Sequence, residues 1–112
     1  MTNVQKHLWK LGVGNRLKGY KMTILAVEFG IEDEDRLQCI QERLYKPVAK
    51  QVGCDYHCVE RNIRTVIDYA WRNNPTYLSR LAGYQLTQPP TVTHFLDMLV
   101  TICLRERDST TA

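Results

Sequence analysis

The stretch from Leu44 to Trp71, LYKPVAKQVGCDYHCVERNIRTVIDYAW, constrains this chain most, because two helical periodicities meet there at a single glycine. Pro47 lacks an N–H and is tolerated only in a first helical turn, so a short helix is predicted to begin within a few residues before it. That helix carries Val48, Ala49 and Val52 inward, and Ala49 is small enough to let a second helix approach. Gly53 can take the positive φ needed where one helix stops before the next starts. Asp55 is a candidate N-cap: its carboxylate can accept from the free N–H groups of the first turn and suits the positive end of the helix dipole. The second helix is predicted from Tyr56 to about Arg72.

At about 100° per residue, Val59, Ile63, Val66, Ile67 and Ala70 form one stripe of this helix, the pattern of a buried face. His57, Glu60, Arg61, Arg64 and Asp68 form another, centred about 140° away. Apolar backing with a polar front is how a helix-turn-helix, here spanning about 44–72, offers side chains to a DNA major groove.

The rest of the chain also reads as helices. An opening helix from Val4 to Leu11, with Val4, Leu8 and Leu11 as its apolar edge, should stop at Gly12 and Gly14. A second, from about Lys18 to Phe29, is expected to turn Tyr20, Ile24, Leu25 and Val27 inward and to end at Gly30. A third begins in the acidic cluster Glu32 to Asp35 and runs to about Leu44; the carboxylates read as helix-start charges rather than a catalytic pair. Asn73-Asn74-Pro75 ends the long helix and opens a short one holding Tyr77, Leu78 and Leu81 before Gly83. After a loop from Gln85 to Pro90, Thr91 or Thr93 caps a last helix with Phe95, Leu96, Leu99, Ile102 and Cys103 at helical spacing, and residues 108–112 read as a polar, frayed tail. No strand-like alternation of useful length occurs. The expected fold is all-α: one compact domain over 1–112, with about six helices and an embedded helix-turn-helix.

A chain of 112 residues can bury a core without disulfides or metal, and no apolar run is long enough for a bilayer or a signal peptide, so a cytoplasmic protein with no membrane partner is expected. The net charge of +3 decides little, but its distribution is uneven: Lys6, Lys10, Arg16, Lys18 and Lys21 lie near the start, and Arg61, Arg64 and Arg72 run along the long helix. Cys39, Cys54, Cys58 and Cys103 are expected as reduced thiols, Cys39 and Cys103 as small core residues. Cys54 and Cys58 with His57 have marginal ligand spacing and no second close Cys/His pair, so neither a metal nor another cofactor is predicted. His7, His57 and His94 fall on different helices, and no nucleophile has a neighbouring base or phosphate loop, which argues against an enzyme. His94 reads as a surface or capping residue, and Trp9, Trp71, Tyr84 and Phe95 as packing residues.

Four blocks, LGVGNRLKGY at Leu11 to Tyr20, LYKPVAKQ at Leu44 to Gln51, VERNIRTVIDYAW at Val59 to Trp71 and LAGYQLTQPPTVTHFLDML at Leu81 to Leu99, carry a resemblance. From about Leu8 to Arg107 the chain resembles the C-terminal DNA-binding effector domain of the stage-zero sporulation transcription factor of endospore-forming Firmicutes. The resemblance implies a helical domain binding double-stranded DNA at a TGTCGAA-like box, as a homodimer or as tandem protomers. RNA polymerase or a receiver-containing relative would be its protein partners. It also implies that Glu60, Arg61 and Arg64 read bases; an arginine fork suits guanine O6 and N7, and a carboxylate suits cytosine N4. Arg16, Lys18, Lys21, His57 and Arg72 are expected to make phosphate or flanking contacts, chosen for charge and position.

The chain departs from the family pattern at His57 and Cys58, which replace a small hydroxyl residue and an arginine, and at Thr65, which replaces a histidine. Asn15 and Arg16 stand in a stretch that normally holds a histidine, and Pro47 is displaced by one position. The phosphoacceptor receiver domain of the full-length family protein is missing from these 112 residues; Met1 favours a stand-alone relative over an excised domain. The alternative expectation is an interaction module without DNA binding, one that pairs with a full-length relative and modulates it.

Overall fold

In the computed structural model, which describes residues 2–111 and the side chains of residues 2–107, the chain is organised around one central helix. The α-helices are α1 (Asn3–Lys10), α2 (Lys18–Glu32), α3 (Lys46–Val52), α4 (Tyr56–Asn73), α5 (Pro75–Ala82) and α6 (Val92–Thr111). Between α2 and α3 lie a 3-10 segment, Glu34–Cys39, and a π-helical turn, Gln41–Tyr45. Among the described residues there is no strand, and no helix is long and apolar enough to cross a membrane. The all-α single domain expected from the sequence is what forms. The expected frayed tail at 108–112 falls on side chains outside the described residues.

α2 packs against both α4 and α6, and of the expected inward face only Val27 is fully buried. Tyr20, Ile24 and Leu25 are only partly buried, whereas Gly19, Met22, Thr23, Ala26, Val27 and Gly30 are buried. Small residues dominate this stripe because the α4 backbone and the Val100 side chain of α6 come very close to it. A Cβ on Gly19 would lie 2.2 Å from the backbone oxygen of Asn62 and 2.6 Å from Val66 Cγ2, both on α4. A Cβ on Gly30 would lie 2.7 Å from Val100 Cγ2 on α6. Gly30 therefore does not end α2; the helix continues to Glu32, where the Asp33 N–H closes it on the Phe29 carbonyl. The hydroxyl of Thr23 is equally compact, donating to the Gly19 carbonyl at 2.7 Å.

The regular third helix expected from Glu32 to Leu44 does not form. α2 runs further than expected, Asp33 is extended (φ −153°), and the chain restarts as the 3-10 segment with Asp33 accepting from the Asp35 N–H. α3 does begin one residue before Pro47, which sits in its first turn as expected, but the backbone leading into it is already helical through the π turn that ends at Tyr45. The π turn accommodates it: the Lys46 N–H reaches back five residues to the Gln41 carbonyl. The Arg43 carbonyl, which Pro47 cannot serve, accepts from the Arg36 guanidinium at 2.8 Å. Arg36 also lies over the Phe29 ring at 4.9 Å, and Arg43 pairs with Asp33 at 2.8 Å, so side chains hold this irregular crossing.

Other expectations shift with the packing. Cys103 is buried as anticipated, but Cys39 is exposed on the 3-10 segment. Phe95 is fully buried and Trp71 packs on the core, whereas Trp9 (68 % exposed) and Tyr84 (57 %) lie on the surface. Thr91, the N-terminal neighbour of α6, accepts from the His94 N–H at 3.1 Å. Replacing Gly19 with Ala should push α4 off α2, since the obstacle is backbone rather than a flexible side chain. Chemical denaturation should show a loss of about 1–3 kcal/mol despite the better helix propensity of Ala. Unchanged stability would mean that α2 and α4 are not in this close contact.

Candidate nucleic-acid interface

The turn that aims α4 is built from its sequence. Gly53 ends α3 in the left-handed conformation (φ 76°, ψ 41°), and both its N–H and that of Cys54 close on the Ala49 carbonyl, at 2.8 and 3.0 Å. Asp55 then caps α4, its Oδ1 accepting from the His57 N–H at 3.0 Å. That hydrogen bond, followed by the interaction with the His57 ring and the charge of Arg61, holds the Asp55 carboxyl below its ordinary value.

Behind this cap the stripe Val59, Ile63, Val66, Ile67 and Ala70 is buried, as the periodicity required. In front of it His57, Arg61, Arg64 and Asp68 are exposed, and Glu60 is partly so. Arg64 donates to Glu60 Oε1 at 2.6 Å, one turn apart, leaving the second carboxylate oxygen outside that bond. Tyr45 lies buried where it senses both charges: burial pushes its phenol up to about 12, with Glu60 adding to the rise and Arg64 opposing it. The pair is therefore backed by the π turn rather than standing alone on α4. Arg61 takes part in no salt bridge among the described residues. His57 leans on the Tyr56 ring (centroids 4.1 Å apart) and approaches Asp55 Oδ1 at 3.3 Å.

The five expected flanking residues do not gather in one place. Arg72 is about 20° around α4 from Arg61 and about 16 Å further along it, so it extends the same front. Its guanidinium lies over the Tyr69 ring at 5.7 Å, and Arg16 lines a recess with Gly12, Gly14 and the same Tyr69. Arg16 and Arg72 thus flank one exposed aromatic at the C-terminal end of α4. Lys18 and Lys21 instead line a groove with Gln5, Asn15, Tyr20 and Ile24 on the α1 side of α2. Lys21 lies about 160° around α2 from Gly19, which faces α4, so it points away from α4.

Three residues of this front were missed in the sequence. Lys46 and Lys50 are exposed on α3, and Lys46 also lies 5.6 Å from the Tyr56 ring centroid. Their signal was their alternation with Val48 and Ala49 in a helix whose inward side was already known. Tyr69 is the third; it adjoins Asp68 on the polar side of α4. Cys54, His57 and Cys58 do not assemble as a metal site among the described residues. Burial and a hydrogen bond with Cys58 raise the Cys54 thiol above its ordinary value.

The cap gives a test with a definite sign. Asp55 has a lowered folded-state value, so its contribution to stability is full above the unfolded value near 3.8 and is lost as pH falls through the folded one. Asp55→Ala should lower the Tm at pH 7, and its deficit against the parent should shrink below pH 4. Thermal melts in which that deficit stays constant with pH would contradict the assignment of the cap.

Residues 4–102 match the model of the family described as "Sporulation initiation factor Spo0A C terminal", which covers most of the chain. The chain belongs to that family, whose members are DNA-binding effector domains of a sporulation regulator and not enzymes.

Proposed function

We propose that this member of the Spo0A C-terminal family regulates transcription in the cytoplasm by laying α4 in the major groove of a TGTCGAA-like box, with Glu60, Arg61 and Arg64 as the base readers. The observation that carries this reading is the opposition of the two faces of α4. Its apolar stripe is consumed by the core, and the side chains left outside are a carboxylate and two guanidiniums within little more than one turn.

Each has matching chemistry in the groove. Arg61, which takes part in no salt bridge among the described residues, can donate both arms of its fork to O6 and N7 of a guanine. Glu60, with one oxygen held by Arg64, can accept from cytosine N4 through the other. The Glu60–Arg64 bond also fixes the rotamers of two long side chains before DNA arrives, which reduces the entropy lost on binding. Lys46 and Lys50 on α3, His57 at the start of α4, and the Arg16–Tyr69–Arg72 group at its end would grip phosphates on either side. Lys18 and, above all, Lys21 contribute to the field of the domain rather than to this contact. Paired copies of the box would seat two protomers.

Binding titrations on duplexes with the box intact and with its guanines replaced test the proposal. Arg61→Ala or Arg64→Ala should each cost about 1–3 kcal/mol and relax discrimination at one base pair. Arg16→Ala and Arg72→Ala should weaken all sequences alike and each reduce the slope of log K against log salt by about 1. Readers whose removal leaves affinity unchanged would contradict the proposal. So would binding insensitive to salt, or no DNA binding with tight capture of a full-length relative.

A further inference from the structure

We propose that His7, Cys103 and Glu106 form a binding site for a zinc-class divalent ion on the side of the domain where α1 meets α6. Their ligand atoms, His7 nitrogen, Cys103 sulfur and Glu106 oxygen, all lie within 4.8 Å of one another. Cys103 and Glu106 are three residues apart on α6 and so share a face, while His7 arrives from α1. His7 and Cys103 are buried, and Glu106 is partly exposed, which leaves one side of the cluster open to solvent.

The geometry is close to what a tetrahedral ion needs. Bonds of 2.0–2.3 Å to N, O and S place ligand atoms roughly 3.3–3.7 Å apart. The His7 Nε2 to Glu106 Oε1 distance is 2.9 Å, so that pair need only open slightly while Cys103 closes in. The other ring nitrogen is already held: Nδ1 lies 2.6 Å from the Tyr77 hydroxyl on α5. A partner on the far nitrogen is what orients an imidazole ligand and fixes its tautomer. In the ion-free protein Nε2 donates its N–H to the Glu106 carboxylate; with the ion bound that proton leaves Nε2, the Nδ1–H donates to the Tyr77 oxygen, and the Nε2 lone pair faces the ion.

The donor set selects the metal. One thiolate, one imidazole and one carboxylate suit borderline ions such as Zn²⁺ or Co²⁺, whereas Mg²⁺ and Ca²⁺ demand more oxygen ligands. Burial and then the Glu106 charge push the Cys103 thiol up to about 11, so the ion must displace that proton to solvent as the metal–sulfur bond forms. Three protein ligands leave a fourth position for water on the open side. An ion there would tie α1 to α6 without touching the face of α4 proposed to read DNA.

Cobalt titration of the reduced protein tests this directly, because a Co²⁺–thiolate bond absorbs in the near ultraviolet and a tetrahedral site absorbs in the visible. The expected result is one ion per chain, displaced by Zn²⁺, with the thiolate band lost in Cys103→Ser. Glu106→Gln, which can keep a hydrogen bond to His7 at a partly exposed position, should bind at least about tenfold more weakly; it serves if Cys103→Ser does not fold. The double variant Cys54→Ser/Cys58→Ser should keep the full spectrum. A parent protein that retains neither Co²⁺ nor Zn²⁺ would overturn the proposal, leaving Tyr77, His7 and Glu106 as a hydrogen-bonded tether only. A thiolate band that vanishes in the double variant but survives in Cys103→Ser would overturn it too.

Discussion

The close contact between Gly19 and the backbone of Asn62 is the constraint on which the rest of the structure depends. Without a side chain at Gly19, α2 can seat against α4 at a distance that no other residue would permit, and Gly30 plays the corresponding part against Val100 of α6. Core packing transmits strain rather than absorbing it, so the position of α2 determines where the long helix lies and which way it faces. The apolar stripe of α4 is consumed by that packing, and its charged side chains are left outside as a consequence. The exposed front is thus produced by the burial behind it.

What could be read in the sequence was whatever rests on large residues and local chemistry. The α4 stripe, the left-handed Gly53, the Asp55 cap and the Asn74-Pro75 start of α5 all formed as expected, because each follows from one residue's own conformational preferences. The inward face of α2 was misread for the complementary reason. Periodicity counts bulky apolar side chains, whereas close helix contacts select small ones, so Tyr20, Ile24 and Leu25 outweighed Gly19, Thr23 and Ala26. The Glu34–Tyr45 crossing was misread because its hydrogen bonds are non-local: Arg36 serves the carbonyl left by Pro47, a contact that no window of sequence displays.

The proposed site followed the same division. Glu60, Arg61 and Arg64 were legible as one front because helical spacing alone places them. Proximity between elements was not legible. The sequence grouped Arg16, Lys18 and Lys21 as one basic run, but the loop carries Arg16 to Tyr69 at the end of α4 while Lys21 points off the far side of α2. The cluster of His7 with Cys103 and Glu106 was hidden more completely, since nearly the whole chain separates its members.

Entry of α4 into the major groove is the central proposal, and alkylation protection tests it most directly. Dimethyl sulfate methylates guanine at N7 in the major groove and adenine at N3 in the minor groove, so one experiment reports both faces of the duplex. With the box-containing duplex saturated by the protein, guanine N7 positions within the box should be protected, and adenine N3 positions should remain as reactive as in free DNA. Protection confined to adenine N3, or guanines that stay fully reactive under saturating protein, would contradict the account.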